Sequence, residues 1–240
     1  MTDYQNLYQT TMEIDKIIAQ NAAKLSKWEE QYQEFVFENF NSGSVSKEES
    51  ERIFFQTNEL LIAIANNFFA FGKFKDEWDT SKCSFYYMGQ HLLLKSKKMD
   101  IEFDWGLQED RFFLQCYICN GENLRYMTDS FWETLLELKT FGDFEFIPQF
   151  SLNAQERVYF ENKTSTVFQL IRNFMIEQSA AMNKGSNPYE GYLNTGDLRL
   201  TWPPDLAWAE LLSNACQAFK LLYSINYQLW KINDLKRKKK

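Results

Sequence analysis

The chain has 240 residues, of which 45% are hydrophobic and 25% charged, a balance that is ordinary for a folded protein. This composition excludes an intrinsically disordered, collagen-like or low-complexity chain. Aromatic residues are abundant at 17%, whereas nine glycines and four prolines are few for a fold that consists of many hairpins.

Charge is distributed unevenly along the chain. The first 80 residues carry 7 basic and 14 acidic groups, whereas the last 60 carry 9 basic and 5 acidic groups, and the net charge is −7. An acidic protein is poorly suited to nucleic acid, whose binding depends on Lys and Arg neutralising phosphates. The basic tail, residues 236–240, is most simply a solvated terminus, and a nuclear-localisation signal is the alternative.

The sequence predicts a cytoplasmic protein. The first 15 residues contain three acidic side chains and no apolar run, so we expect no secretory signal peptide. The most apolar stretch, residues 60–71, is interrupted by Asn66 and Asn67 and is too short to cross a bilayer, so we expect no membrane association. Four cysteines in a chain of this length do not indicate a disulfide framework.

Two amphipathic helices are predicted at the start of the chain. Apolar positions recur at steps of three and four over residues 7–35, and the turn-forming residues 41–44 end this first helix. Ser46 and Glu49 form a capping box for a second helix, whose apolar face extends over residues 53–71 and which ends at Gly72. The short connection between the two helices predicts an antiparallel helical hairpin.

Alternating apolar and polar residues then replace the helical period. Asn120-Gly121 predicts a tight hairpin whose return strand would be residues 122–127. Ser130 and Glu133 predict a short helix. Strands are predicted at 101–105, 112–118, 143–147, 157–160 and 197–202, a helix from Thr164 or Ser165, and a loop at 183–196.

A long helix is predicted after Pro203-Pro204-Asp205. Its apolar row consists of Trp208, Leu212, Ala215, Phe219, Leu222, Ile225, Leu229 and Ile232. The predicted fold class is therefore α+β, with an N-terminal antiparallel helical hairpin, a mostly antiparallel sheet in the middle and a long buried C-terminal helix. We expect one composite domain over 1–240; the alternative division is a hairpin at 1–72, an α+β body at 83–235 and the tail at 236–240.

Metal-binding and histidine-dependent sites have few candidate residues. Cys116 and Cys119 resemble half of a zinc knuckle, but a structural zinc needs four ligands and the only others of this type are Cys83, His91 and Cys216. The alternation of a strand also sends Cys116 and Cys119 to opposite faces. We therefore expect no bound metal, with Cys83, His91, Cys116 and Cys119 as the alternative set.

The single histidine, His91, would have to serve any Ser–His–Asp or Cys–His catalytic group. Its apolar flank at 92–94 instead predicts a histidine within a strand.

The chain has no glycine-rich phosphate-binding loop. This excludes P-loop nucleotide hydrolases and dinucleotide-binding enzymes, so we expect no small-molecule cofactor.

One enzyme pattern is present over residues 128–202. A helix is followed by a strand that begins at Asp143, a strand that runs into Glu161-Asn162-Lys163, a helix and a further strand. This order resembles the core of the PD-(D/E)xK nuclease superfamily. The resemblance implies that Asp143 and Glu161 hold Mg²⁺ while Lys163 steadies the attacking water and the phosphate charge. The alternative is that residues 161–163 form a polar turn between strand and helix.

The composition favours a different class of function. Tyr, Trp and Phe concentrate at protein interfaces, although here they can equally fill the core. The outward positions of two predicted strands are acidic: Glu102 and Asp104 on one, Asp143 and Glu145 on the other. We therefore expect a non-catalytic protein-binding protein (an inhibitor, an immunity-type protein or a subunit of a complex) whose partner has a basic surface. The metal-dependent nuclease is the alternative.

Overall fold

The computed structural model describes residues 16, 19, 46–86, 89–108, 111–148, 196–203 and 205–238. Of the predicted first helix, only Lys16 and Ala19 are among them, and both are helical. The strand predicted at 157–160, the helix from Thr164 or Ser165 and the loop at 183–196, apart from Gly196, lie outside the described residues. These elements stay predictions.

Apart from Lys16 and Ala19, the described residues form three α-helices and seven strands. In chain order they are α1 (Lys47–Gly72), β1 (Trp78–Asp79), β2 (Cys83–Tyr86), β3 (Gly89–Ser96), β4 (Ile101–Gln108), β5 (Arg111–Tyr117), a 3₁₀ helix (Gly121–Tyr126), α2 (Asp129–Glu137), a 3₁₀ turn (Leu138–Thr140), β6 (Asp143–Pro148), β7 (Gly196–Trp202) and α3 (Trp208–Arg237). The predicted α+β class with a mostly antiparallel sheet is confirmed, whereas the N-terminal hairpin falls largely outside the described residues.

The strands belong to one sheet with the order β1-β3-β4-β5-β7-β6, and β2 also pairs with β3. β3 is antiparallel to β1, β2 and β4. By compactness the chain divides into a first unit, Met1–Leu114 with Thr201–Gln217, and a second unit, Gln115–Leu200 with Ala218–Lys240. β5, β7 and α3 each contribute residues to both units.

The core of the first unit is rich in aromatic rings. Phe68 of α1 meets Trp105 of β4 edge to face, with ring centroids 5.2 Å apart. Trp105 in turn stacks on Phe112 at 5.6 Å and contacts the edge of Trp202 at 6.2 Å. All four rings are fully or almost fully buried. These aromatic residues therefore serve packing, each burying a large apolar surface.

The predicted apolar face of α1 is observed over most of its length. Leu60, Ile64 and Phe68 are buried, and Thr57 is buried among them. Phe71, in the last turn, is 39% exposed, so the buried face ends at Phe68.

In the second unit, α3 packs as predicted along the middle of its length. Phe219, Leu222, Ile225 and Leu229 have no exposed surface. Elsewhere on the predicted row, Ala215 is buried and Trp208, Leu212 and Ile232 are half-buried. α3 is thus a core element over its middle turns and less enclosed at its two ends.

The hairpin predicted at Asn120-Gly121 is not formed. Asn120 adopts the left-handed conformation with φ 57°, but Gly121 does not have the positive φ that a type I′ turn also requires. The chain continues as the 3₁₀ helix Gly121–Tyr126 instead of a return strand. Asn123 is fully buried there and donates from Nδ2 to the main-chain oxygen of Leu229, so a distant part of the chain determines this conformation.

None of the helices in the described part of the chain combines the length and the apolar character that a membrane span requires.

Truncation of Phe219 tests the position of the core. Phe219→Ala removes a fully buried ring and leaves a cavity, which we expect to lower the free energy of unfolding by about 3–5 kcal/mol. Lys231→Ala, at an exposed position of the same helix, should change it by less than about 0.5 kcal/mol. Urea unfolding monitored by circular dichroism measures both. Equal effects of the two substitutions would contradict the burial of Phe219.

Candidate functional site

Asp143 and Glu145 lie on β6, in the second unit, and both are exposed. They alternate with Phe146, which is buried, so the two carboxylates occupy the outward positions of the strand. Glu145 forms an ion pair with Arg199 of β7, whose Nε lies 3.8 Å from Glu145 Oε1, and the Glu145 side chain remains 58% exposed. An exposed ion pair of this length contributes little, so Glu145 remains accessible to a partner.

Glu102 and Asp104 lie on β4, in the first unit, and are half-buried. Glu102 is the register partner of Lys95 on β3, and Asp104 Oδ2 lies 3.1 Å from His91 Nδ1. Both carboxylates therefore face basic side chains of their own sheet.

His91 is buried in β3, with 8% of its surface exposed. The edge of its ring faces Phe113, with centroids 4.7 Å apart, and Asp104 orients the imidazole through Nδ1. Its register partner on β4 is Gly106, which has no side chain to compete for the same space. Because a carboxylate oxygen only accepts hydrogen bonds, the Nδ1–H group of His91 is the donor in this contact.

Ser84 is the register partner of His91 on β2, and His91 contacts Asp104 on β4. The three residues therefore lie on three neighbouring strands, β2, β3 and β4. This order is that of a Ser–His–Asp group, but acyl transfer also requires N–H donors that point at the oxyanion. β3 is paired on one side with β2 and on the other with β4, so its N–H groups in this region belong to the ladder. The arrangement supports a structural role for His91.

The four residues proposed for a metal site are not brought together. Cys83 pairs with Leu92, and its sulfur accepts a hydrogen bond of 3.3 Å from Gln90 Nε2, whereas His91 points to the opposite face of β3. Within the described residues, no group of three or more His, Cys, Asp or Glu side chains is arranged to hold a metal ion.

A buried amide holds the Cys116–Cys119 segment in the second unit. Asn226 of α3 is fully buried, accepts the Cys119 main-chain N–H at Oδ1 (3.1 Å) and donates from Nδ2 to Cys116 Sγ (3.2 Å). One helical heptad later, Asn233 donates to Glu122 Oε1 at 2.9 Å. The sequence reasoning missed this polar row; the seven-residue spacing of the two asparagines was the available signal.

The environment of Cys116 and Cys216 makes these two thiols poor nucleophiles. Burial raises the pKa of the Cys116 thiol well above its ordinary value, with smaller contributions from Cys119 and Asp197. Burial likewise raises the pKa of Cys216 to about 12. Because the thiolate is the reactive form, neither cysteine is suited to catalysis near neutral pH.

Only one of the three residues of the nuclease alternative is among the described residues. Asp143 is at the first position of β6 and is exposed, whereas Glu161 and Lys163 lie outside the described residues. This alternative stays a prediction.

Comparison of the chain with protein-family models, with curated proteins and with solved structures found no match in any of the three. The candidate site is therefore defined by the geometry of this chain alone, and its most accessible predicted residues are Asp143 and Glu145.

Removing the Asn226 amide should destabilise the second unit. Asn226→Ala leaves the buried Cys119 N–H without this acceptor, and we expect a loss of about 1–3 kcal/mol in the free energy of unfolding. Gln228→Ala, at a half-buried position on the same helix, provides the control. Chemical denaturation measures both variants, and similar midpoints would argue against a structural role for this amide.

Thiol labelling tests the burial of the cysteines. In the native protein at mildly alkaline pH, Cys116 and Cys216 should resist iodoacetamide, because a raised pKa keeps each thiol protonated. The half-buried Cys83 is the internal comparison, and all four cysteines should react after denaturation. Peptide mass spectrometry identifies the labelled sites. Labelling of native Cys116 as fast as in the denatured chain would refute this assignment.

Proposed function

We propose that this chain is a non-catalytic protein-binding protein, an inhibitor, immunity-type protein or complex subunit, that contacts a basic surface of its partner through Asp143 and Glu145. The exposure of these two carboxylates on the outward face of β6 is the observation that supports the proposal. They are two residues apart on a strand, which places them about 6.6 Å apart along it. This spacing suits two Lys or Arg side chains of an opposing surface.

The other acidic pair is less suited to this role. Asp104 is already engaged by His91 and its side chain is only 23% exposed, and Glu102 lies opposite Lys95. Binding a partner through Asp104 would therefore require breaking its contact with His91. We accordingly assign partner binding to Asp143 and Glu145, and a structural role to Asp104.

Charge complementarity raises the association rate of the proposed interaction and favours a basic partner. A protein with a net charge of −7 attracts a basic partner over a distance comparable with the Debye length, which raises the association rate. Apolar contact area is also needed, and Tyr117 and Leu136, both exposed in the second unit, can supply it. Four cysteines without disulfide partners suit a reducing compartment, so we place this function in the cytoplasm.

Charge reversal on β6 tests the proposal. The wild-type chain, immobilised, should retain a basic protein from an extract of the cell that expresses it, and the purified pair should bind directly. Asp143→Lys with Glu145→Lys should weaken that binding by about a hundredfold or more, because both carboxylates become repulsive. Titration calorimetry at two salt concentrations measures the affinity, which should fall as salt rises.

Glu133→Lys with Glu137→Lys is the matched control, since it changes the net charge equally at two exposed positions of α2 in the same unit. It should retain most of the affinity. Equal losses in the two variants would mean that only overall charge matters. Mg²⁺-dependent nucleic-acid cleavage that Glu161→Gln abolishes would replace the proposal with the nuclease alternative.

A further inference from the structure

A second charged surface, of opposite sign, lies where α3 ends. We call it the basic patch: it consists of Arg125 and Tyr126 from the 3₁₀ helix and Lys236 from the last turn of α3, all in the second unit, and Leu235 and Arg237 flank Lys236 in the sequence. Tyr126 is 50% exposed and Leu235 49%. The patch therefore combines cations with accessible apolar surface.

Two of the cations are held against one aromatic ring. Arg125 Cζ lies 4.6 Å from the centroid of the Tyr126 ring, and Lys236 Nζ lies 5.1 Å from it. Each contact is a cation–π interaction, and together they keep two positive charges within about 10 Å of one another. A ligand with neighbouring negative charges would relieve the repulsion between them.

Lys236 is also positioned by a buried group. Its ammonium donates to Asn123 Oδ1 at 3.2 Å, and Asn123 is fully buried and donates in turn to Leu229 O and Asn233 Oδ1, both at 3.0 Å. An amide orients the lysine without neutralising its charge. Less side-chain entropy is then lost when Lys236 meets an anion, which favours binding.

The helix dipole accounts for only part of this patch. Cations in the last turn of a helix are stabilised by its C-terminal partial charge, which explains Lys236 and Arg237. It does not explain Arg125, which comes from a different element and lies on the same ring as Lys236. Lys238 forms an ion pair of 2.7 Å with Asp234 on its own helix.

We propose that the basic patch is a docking surface for an acidic segment of a partner protein, one that carries several closely spaced Asp or Glu residues. The Arg125 guanidinium can bind a carboxylate through two parallel hydrogen bonds, and Lys236 can bind a neighbouring carboxylate. Tyr126, which is 50% exposed, supplies apolar contact beside the charges. This ligand is opposite in charge to the one proposed for β6, so the two inferences stand independently.

The geometry favours a peptide over a nucleic acid. Single-stranded nucleic acid binds by stacking its bases on exposed aromatic faces. Tyr126 already carries two cations about 5 Å from its ring centroid, so its ring is less open to a base.

Binding of a short fluorescein-labelled peptide of alternating Glu and Gly to the full chain tests this proposal. Fluorescence anisotropy should show binding that weakens as salt rises, and the same peptide with Gln in place of Glu should not bind. Arg125→Gln with Lys236→Gln should raise the Kd about tenfold or more. The single variant Lys236→Arg keeps the positive charge and a donor for Asn123. It should therefore bind the peptide with most of the wild-type affinity.

Lys220→Gln with Lys231→Gln is the matched control, because it removes two charges from exposed positions of α3 outside the patch. It should change the Kd by less than about twofold, and thermal melts should show that both double variants remain folded. Absence of wild-type binding, or equal weakening by the two double variants, would overturn the proposal. So would tighter binding of an oligo-dT strand that depends on Arg125 and Lys236, or a dimer that forms through the same residues.

Discussion

The antiparallel pairing of β3 with β4 determines which side chains of the first unit are buried. Eight successive residue pairs join the two strands, from Gly89↔Gln108 to Ser96↔Ile101. A slip of one residue would turn every side chain of a strand to the other face, so this register places Trp105 in the core and Asp104 beside His91 at the same time. The ring contacts of Trp105 and the orientation of His91 both depend on it.

Two glycines make this register hard to change. A Cβ at Gly89 would lie 1.7 Å from the main-chain oxygen of Leu107, and one at Gly106 would lie 2.2 Å from that of Gln90. In a shifted register, residues with side chains would have to enter these narrow positions. Glycine at both places therefore contributes to the specificity of the strand pairing as well as to its close approach.

Local patterns in the sequence predicted the elements that have one buried face and one more exposed face. Ile101, Phe103 and Trp105 alternate with half-buried residues because β4 has one fully buried face, and Leu198, Leu200 and Trp202 do the same on β7. Periodicity also located α1 and α3. The same alternation on β6 predicted that Asp143 and Glu145 are exposed.

Features that depend on distant partners were not predictable in this way. Asn120-Gly121 has the composition of a hairpin turn, but Asn123 finds its hydrogen-bond partners in α3, more than a hundred residues away. Arg125 and Lys236 are also more than a hundred residues apart in the sequence, and both contact the ring of Tyr126. The pairing of Asp104 with His91 likewise required the register of two strands, which composition does not reveal.

The hydrogen bond between the Cys119 N–H and Asn226 Oδ1 makes this amide a reporter of local opening. The group is buried and its acceptor is a side chain of α3 rather than a neighbouring strand. Exchange of its hydrogen with solvent then requires α3 to separate from the turn after β5. The exchange rate at this single position thus measures the free energy of that separation, even while the rest of the sheet stays folded.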